Sequence, residues 1–317
     1  MAEDTVKPIR IGISSCLLGE NVRYNGDHKR DRYITDTLSR YFEFVPCCPE
    51  VAIGLGVPRP TIRLEGKPDQ PRAVVQDDNR RDVTEPLREY GRNIAAAATD
   101  ISGYILKSRS PSCGMERVKI YDHNNVPSAS ANGIFARALM ENRPLLPVEE
   151  EGRLNDPDLR DNFLERVFIY SRWQNLVAES ERVRDLVAFH TAHKFLIMAH
   201  DQNAMRAMGR MVARAAEDPA RVMEEYFILL MQTVKKPVRR SNQINTLQHI
   251  AGFFKNDLDE NDRRELGEAI EGYRTGELPV IVALTLIRHH LRRNPDGYLE
   301  NQRFLESLPA NLIAKPR

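Results

Sequence analysis

The stretch of the chain best suited to chemistry surrounds one cysteine, in the sequence Lys107-Ser108-Arg109-Ser110-Pro111-Ser112-Cys113-Gly114. It follows a short β-prone run, residues 101–106, so the thiol is predicted to lie just beyond a strand end, where α/β sheets usually carry their sites. Three hydroxyls and two cations surround the sulfur. Such surroundings lower the pKa of a thiol and suit a nucleophile or a metal ligand, although a buried structural cysteine in a serine-rich turn has the same sequence pattern.

Two other hydrophobic runs also end at cysteine. Cys16 follows the run at residues 9–13, and Cys47 and Cys48 follow the run at residues 44–46. Three strands that each deliver a thiol at the carboxyl end could bring these thiols together above one sheet. The long spacing differs from the local C-x-x-C pairs of zinc ribbons and ferredoxins, so spacing alone identifies no metal. Neighbouring strand residues face opposite ways, so only one of Cys47 and Cys48 is expected to join the site.

The composition limits the possible classes of protein. A length of 317 residues suggests two domains, and the net charge of +1 argues against a globally basic nucleic-acid-binding protein. Four cysteines in so long a chain are not a disulfide framework. No apolar run is long enough to span a membrane, and residues 1–4 are acidic where a signal peptide would be basic. We therefore expect a cytoplasmic protein.

The pattern of elements changes near residue 150. Before it, helices are predicted over 31–41, 86–99 and 133–141, strands over 42–47, 73–76 and 101–106, and an irregular loop over 54–72. This alternation predicts an α/β domain with a largely parallel sheet at residues 1–150. The charged segment 149–157 is the best linker candidate. Residues 151–317 are predicted to form an all-α domain, with helix breaks at Pro219, Pro237, Pro279 and Pro295.

Three segments of the first half resemble the thiouracil desulfurase (TudS) family in order and spacing. They are Ser14-Ser15-Cys16-Leu17-Leu18-Gly19 with Val22-Arg23-Tyr24-Asn25-Gly26 and Lys29, then Cys48-Pro49-Glu50-Val51 with Gly54-Leu55 and Pro58-Arg59, and then Leu106 with the stretch from Lys107 to Gly114. The second half resembles the YbgA-type domain often fused behind that family, through His190-Thr191-Ala192-His193-Lys194-Phe195. The arrangement is similar to bacterial desulfidases that remove sulfur from 4-thiouridine in tRNA.

The resemblance implies an iron-sulfur site. It selects Cys48 over Cys47, and it implies that Cys16, Cys48 and Cys113 hold a [4Fe-4S] cluster. With only three protein ligands the fourth iron is open, and an open iron can bind the sulfur of a substrate. A zinc ion held by the same three thiolates would also leave one position for water or substrate, and this alternative stays open on the residues alone.

Catalytic and substrate-binding candidates lie beside these thiols. Glu50 lies two residues beyond Cys48, so an extended segment would point its carboxylate to the same side as the thiol, and the resemblance favours it as the base that activates water. Ser110 could orient this water or donate a hydrogen bond to the leaving sulfur or a ring nitrogen, with Ser108 and Ser112 as alternatives. The candidates for binding an anionic or polar substrate are Arg23, Lys29, Arg59, Lys107 and Ser112, although each cation could equally form an ordinary ion pair.

The second half offers histidines and a basic surface. His190, His193 and His200 fall near one helix face, but no carboxylate or thiol completes a metal site, so packing and polar contacts are the favoured interpretation. Candidate RNA phosphate contacts are Lys194, Arg206, Arg210, Arg214, Lys235, Lys236, Arg239 and Arg240, of which the first three arginines repeat at intervals of four. Such clusters are also common as solvated surface.

Two classes of function remain. The first is an iron-sulfur desulfidase that acts on 4-thiouridine in tRNA or on a thiolated nucleobase, in which the sulfur binds the open iron and water attacks the ring carbon. A variant of this hypothesis is a free-base thiouracil desulfurase whose second domain regulates or oligomerises. The second class is a non-catalytic iron-sulfur redox sensor or RNA-binding protein. The oligomeric state does not follow from the sequence.

Overall fold

The structure of the chain, a computed structural model, describes residues 8–122, 124–179, 182–306 and 312. The described residues divide into two units, one up to Gln174 and a second from Asn175 to residue 306. None of the described helices is both long and apolar enough to cross a membrane. The expectation that a signal peptide is absent rests on residues 1–4, which lie outside the described residues.

The first unit contains eight described strands in two sheets. The strands are β1 (Ile9–Ser14), β2 (Phe42–Cys47), β3 (Ile62–Gly66), β4 (Pro71–Val75), β5 (Ile101–Leu106), β6 (Val118–Tyr121), β7 (Pro127–Ala131) and β8 (Val148–Glu150). One sheet has the order β2-β1-β5-β8 and is parallel throughout. The other, β4-β3-β6-β7, is mixed. The predicted α/β class and largely parallel sheet are therefore confirmed.

The two central strands of the parallel sheet are almost completely buried. β5 is buried along its whole length, and β1 buries Ile11 and Ile13. Gly12 lies under the Tyr104 ring, where a Cβ atom would come within 2.4 Å of a ring carbon, so a larger residue would separate β1 from β5. Because parallel strands carry their carboxyl ends at one edge, this core fixes where the residues after β1, β2, β5 and β8 lie.

The three α-helices described before residue 150 are α1 (Pro49–Ala52), α2 (Thr84–Ala97) and α3 (Ile134–Asn142). The last two confirm the helices predicted over 86–99 and 133–141. Residues 33–40, within the helix predicted over 31–41, instead form a π-helical turn followed by a 3-10 turn.

Two expectations for this unit are wrong. Residues 54–72 were expected to form an irregular loop, but they contain β3 and the start of β4, because Ile62 and Leu64 alternate toward the core between the prolines and glycines. Residues 149–152 were expected to begin a linker, but Val148–Glu150 pairs with β5, and Glu149 and Glu150 are buried.

Helices dominate the rest of the chain, as predicted. They are α4 (Pro157–Glu179), α5 (Val183–His200), α6 (Gln202–Ala213), α7 (Pro219–Val234), α8 (Arg240–Ala251), α9 (Glu260–Thr275), α10 (Val280–Arg293) and α11 (Gly297–Glu300). The four predicted breaks are confirmed, since Pro219 begins α7, Pro279 caps α10, and Pro237 and Pro295 lie between helices. Aspartates cap four of these helices at Asp201, Asp218, Asp259 and Asp296.

Candidate active site

Cys16, Cys48 and Cys113 line one cavity of about 460 Å³ at the carboxyl edge of the parallel sheet. Cys16 lies in a 3-10 turn directly after β1, and Cys48 follows β2 and caps α1. Cys113 lies seven residues after the end of β5. The expected convergence of three strand ends thus places three thiols around a single space.

Local turns hold each thiol-bearing residue in place. The Cys16 carbonyl accepts hydrogen bonds from the backbone N–H groups of Lys29 (2.8 Å) and Gly19 (3.4 Å), which ties the 3-10 turn to the following loop. At the other end of the cavity, Ser110 Oγ accepts from the backbone N–H groups of Ser112 (3.2 Å) and Cys113 (3.1 Å). Ser110 therefore stabilises the turn that presents Cys113, and its hydroxyl proton remains available to the cavity.

Burial raises the pKa of all three thiols. The pKa of Cys16 is raised to about 11, the pKa of Cys48 is also raised, and that of Cys113 is raised well above its usual range, with the Glu50 carboxylate adding to the effect of burial. This corrects the expectation that nearby cations lower the pKa of Cys113. The physical reason is that Cys113 is 6% exposed and that the Lys107 ammonium is paired elsewhere.

Cys47 is placed differently from its neighbour. Its thiol donates a hydrogen bond to the Tyr90 hydroxyl, with an Sγ to Oη distance of 3.6 Å, although the residue also borders the cavity. Cys48 makes a long contact to the Val22 carbonyl oxygen, at 3.8 Å, and interacts with the backbone of Val51 and Glu50. Because both cysteines border the cavity, the selection of Cys48 over Cys47 stays a prediction.

The three thiols are available as metal ligands. All four cysteines are free, so no disulfide competes for the three around the cavity. Thiolates are the ligands that iron-sulfur clusters use, so the donor set suits such a cluster, and it also suits zinc. Among the described residues, no three His, Cys, Asp or Glu side chains lie close enough together to bind one metal ion.

Glu50 is held beside the thiols by a buried arginine. The Arg59 side chain is 3% exposed, and its Nε and Nη2 atoms donate to Glu50 Oε2 at 2.9 and 2.7 Å. Ser112 Oγ donates to Glu50 Oε1 at 2.8 Å. Glu50 lies on α1 and not on the extended segment expected from the sequence, yet its carboxylate reaches the same cavity.

Two of the predicted substrate-binding cations are engaged inside the protein. Arg59 also donates from Nη1 to the Gly56 carbonyl (2.8 Å) and from Nη2 to the Val22 carbonyl (2.9 Å). Lys107 Nζ contacts Glu151 Oε1, Ser108 Oγ (3.0 Å) and the Ser108 carbonyl (3.1 Å), which uses its three donors. Both residues line the cavity, but their hydrogen bonds hold neighbouring protein groups in place.

Arg23 and Lys29 are placed differently. Both line the cavity, and neither forms an ion pair with another described residue. Arg23 is half-buried, with its guanidinium 5.5 Å from the centre of the Tyr24 ring, and its charge lowers the pKa of Cys16. These two cations are free to meet an anionic or polar substrate.

Sequence reasoning missed Glu151, which falls in the segment expected to be a linker. Its carboxylate accepts from the backbone N–H and the hydroxyl of Ser108, both at 2.7 Å, in addition to Lys107. A signal was present, because three acidic residues directly follow a short apolar run, but their burial depends on the pairing of β8 with β5.

The three candidate histidines of α5 contact different neighbours. His190 Nδ1 lies 3.1 Å from the Tyr226 hydroxyl, His193 Nδ1 lies 2.7 Å from the Phe189 carbonyl oxygen, and His200 Nδ1 lies 3.0 Å from the Lys236 carbonyl oxygen. His193 also stacks on the Phe189 ring at 4.0 Å. These contacts agree with the packing interpretation.

The predicted RNA-contacting residues are all exposed. They are Lys194, Arg206, Arg210, Arg214, Lys235, Lys236, Arg239 and Arg240. None forms an ion pair with another residue in the described part of the chain, although the Arg240 guanidinium lies 5.5 Å from the centre of the Tyr273 ring. The end of α5 contacts two neighbouring elements: His200 Nδ1 lies near the Lys236 carbonyl between α7 and α8, and Asn242 Nδ2 of α8 donates to the His200 carbonyl at 2.8 Å.

Comparison with known proteins identifies two families along the chain. Residues 11–151 match the model of the 2-thiouracil desulfurase family, and residues 194–309 match a family described as a protein of unknown function, DUF1722. The uncharacterized protein YbgA of Escherichia coli (strain K12) is 28% identical over 153 residues, which cover 47% of this chain and 89% of that protein.

Two further relatives match part of the chain. The uncharacterized protein YbbK of Bacillus subtilis (strain 168) is 34% identical over 108 residues, covering 32% of this chain and 71% of that protein. A solved structure titled [4Fe-4S]-dependent thiouracil desulfidase TudS is 30% identical, covering 47% of this chain and 94% of that one, with a TM-score of 0.37.

Proposed function

Because this chain belongs to the 2-thiouracil desulfurase family through residues 11–151, followed by a YbgA-type region, we propose that it is a hydrolytic desulfidase of 4-thiouridine in tRNA and of related thiolated uracils. The observation that carries the proposal is the convergence of Cys16, Cys48 and Cys113 on one cavity that also contains the Glu50 carboxylate. We further propose that the first unit performs the chemistry and that the second unit presents the RNA, in the cytoplasm.

The reaction needs no external electron donor. The oxygen of water forms a bond to the ring carbon that carries sulfur, the carbon–sulfur bond breaks, and uridine and hydrogen sulfide are the products. When bound by Cys16, Cys48 and Cys113, a [4Fe-4S] cluster would supply a Lewis-acidic iron without a protein ligand. The raised pKa of these thiols means that loading requires the loss of their protons.

The residues around the cavity supply the proton transfers. Glu50 accepts the proton of the attacking water, and Arg59 and Ser112 fix the orientation of its carboxylate through the contacts to Oε2 and Oε1. Ser110 directs its hydroxyl proton toward the substrate while its oxygen holds the Cys113 turn. Arg23 and Lys29 bind the polar part of the substrate.

The exposed basic residues of the second unit are the proposed tRNA contacts. Arg206 and Arg210 lie on α6, and Arg214 lies just beyond its end. Lys235, Lys236, Arg239 and Arg240 lie between α7 and α8 or at the start of α8. Many other exposed arginines of the chain form ion pairs, for example Arg221 with Glu225 at 2.8 Å. Cations without such partners are free to contact phosphate.

The proposal is tested with full-length protein loaded with iron and sulfide without oxygen. The protein is incubated with tRNA containing 4-thiouridine, with 4-thiouridine and with 2-thiouracil, and released sulfide is measured. We expect sulfide from at least one substrate, retention of activity in Cys47→Ser and loss in Cys48→Ser. A loaded protein that releases no sulfide from any of them would favour the sensor or RNA-binding alternative.

A further inference from the structure

The carboxylate of Glu151 connects the end of the parallel sheet to the thiol cavity. Glu151 directly follows β8, and its side chain is 12% exposed. Oε2 accepts from the backbone N–H of Ser108 at 2.7 Å, and Oε1 accepts from the Ser108 hydroxyl at 2.7 Å and from Lys107 Nζ. All of these donors belong to the turn that follows β5 and leads to Cys113.

Lys107 extends this connection to the end of β1, because its backbone N–H donates to Ser14 Oγ at 3.0 Å. Three strand ends, those of β1, β5 and β8, are therefore joined by the pair formed by Lys107 and Glu151. This arrangement places the Lys107 ammonium in the lining of the cavity and pairs it with the Glu151 carboxylate.

The Lys107 ammonium lies in the same cavity lining as Cys16, and the Glu151 carboxylate balances its charge. Because the Lys107 and Glu151 side chains are only 22% and 12% exposed, solvent and salt screen them less than an exposed pair.

We propose that Glu151 is a positioning residue that holds the Lys107-Ser108 turn and neutralises Lys107 beside Cys16, and that this pair sets the reduction potential of the iron-sulfur group held by Cys16, Cys48 and Cys113. The inference rests on the proposed function for the presence of that group. It replaces the expectation that Lys107 binds an anionic substrate.

The proposal predicts opposite effects for the two partners. Glu151→Gln leaves the Lys107 charge unpaired, which favours the added electron, so the reduction potential becomes more positive. Lys107→Met leaves the Glu151 charge unpaired, so the potential becomes more negative. The double variant removes both charges and returns the potential close to the wild-type value. Glu151→Asp keeps the charge and is expected to stay near the wild type.

Glu65→Gln is the matched control. Glu65 also accepts from two arginines, with Arg63 Nε and Arg80 Nη2 both 2.7 Å from Oε1, and its side chain is 21% exposed. It does not border the thiol cavity. The loss of this partly buried, paired carboxylate, which does not border the cavity, is expected to leave the reduction potential unchanged.

The experiment is a redox titration of the loaded full-length proteins, followed by electron paramagnetic resonance at constant ionic strength. At the wild-type midpoint, we expect the ratio of reduced to oxidised cluster to rise severalfold in Glu151→Gln and to fall severalfold in Lys107→Met. Shifts of the same sign in both variants, or no shift in either, would overturn the proposal, because a general loosening of the turn has no reason to depend on the sign of the charge.

Two further outcomes are decisive. If Glu151→Gln does not load, the sign of the Lys107→Met shift decides, and a positive or absent shift contradicts the proposal. If the wild type itself takes up no cluster, the proposed function fails and this inference fails with it. A loaded, active wild type whose variants show no charge-dependent shift overturns only the role of Glu151 and Lys107.

Discussion

Each unit of this chain contains three side chains of a type that can bind a metal. The two sets differ in whether their members border one shared cavity or contact separate neighbours. In the first unit, Cys16, Cys48 and Cys113 border a cavity, and their thiols make few hydrogen bonds. In the second, His190, His193 and His200 each contact a different neighbouring group. Residue type and spacing indicated both sets, but only the cysteines share a space.

Residues of suitable type form a candidate metal site only where their side chains border the same cavity. The thiols converge because three parallel strands end at one edge, which is a property of the whole sheet. The histidines share a helix, and their separation along α5 sends them toward different partners. This difference predicts which substitutions remove metal and which affect only stability.

The largest expected effect is the loss of the cluster. Cys16→Ser, Cys48→Ser or Cys113→Ser should each reduce iron to near background, because a cluster with two remaining protein ligands is not retained. Cys47→Ser, His193→Gln and His200→Gln should keep iron near the wild-type content. Iron and acid-labile sulfide per chain are measured after anaerobic loading. Wild-type iron content in Cys113→Ser would show that Cys113 is no more needed for iron than the histidines of the second unit.

The next effect separates binding of the cluster from chemistry. Glu50→Gln should keep the cluster but lower the turnover number roughly a hundredfold or more, because the nearly isosteric amide cannot accept a proton from water. Iron content and sulfide release are measured on the same preparation. Turnover at the wild-type rate would show that Glu50 is not the base. Glu65→Gln serves as the control carboxylate, away from the cavity.

A smaller effect is expected from the basic surface of the second unit. Replacing Arg206, Arg210, Lys235 and Arg239 by alanine should raise the KM for thiolated tRNA roughly tenfold to a hundredfold. The slope of the salt dependence of binding should fall by about 0.7 to 0.9 for each phosphate that is no longer neutralised. Activity on 4-thiouridine should not change, because these residues do not border the thiol cavity.

The control for this surface is Arg221→Ala with Arg264→Ala, which removes two exposed arginines that pair with Glu225 and Glu268. These changes should leave both activities at the wild-type level. An equal loss on tRNA and on 4-thiouridine in the fourfold variant would instead indicate a defect in folding. Undiminished activity on tRNA would place the RNA-binding surface elsewhere on the molecule.

The smallest expected effect concerns stability. Burial lowers the pKa of His190 to about 4 from its ordinary value of 6.5, so the folded state binds fewer protons than the unfolded state below pH 6.5. The contribution of His190 to the free energy of unfolding is therefore fully present above pH 6.5 and is lost as the pH falls toward 4. At pH 5.5 the loss is about 1.4 kcal/mol, which is about tenfold in the folding equilibrium.

This loss is measured as the difference in denaturant unfolding between pH 7.5 and 5.5, in the wild type and in His190→Gln. The variant should lose less stability over this interval, whatever its stability at pH 7.5. Equal losses in both proteins would show that His190 is not buried as a neutral side chain in solution.

The sequence was sufficient to predict the strands that carry the site. β2 and β5 agree with their predicted ranges, because both are rich in β-prone residues, and β5 is buried along its whole length as a central parallel strand requires. The proline positions likewise predicted the helix breaks of the second unit. The motifs of the first half predicted the three cysteines, Glu50 and Ser110 as neighbours, and the structure places all five around one cavity.

The remaining features depend on contacts between distant residues. β8 is three residues long and becomes a strand through pairing with β5, so no local pattern separated it from a linker, and Glu151 was missed with it. The engagement of Arg59 by Glu50 and of Lys107 by Glu151 also joins residues from different loops. Sequence spacing identifies a cation near the site but not the partner that occupies it.

The central claim is that the cavity bordered by Cys16, Cys48 and Cys113 replaces the sulfur of a thiolated uracil with oxygen from water. The most direct measurement is a single turnover of 4-thiouridine by loaded full-length protein in ¹⁸O-labelled water, with mass spectrometry of the uridine and quantification of sulfide. We predict one labelled oxygen in each uridine formed and one sulfide released per uridine, and neither product with Cys113→Ser. Unlabelled uridine, or wild-type yields from the Cys113→Ser variant, would contradict the account.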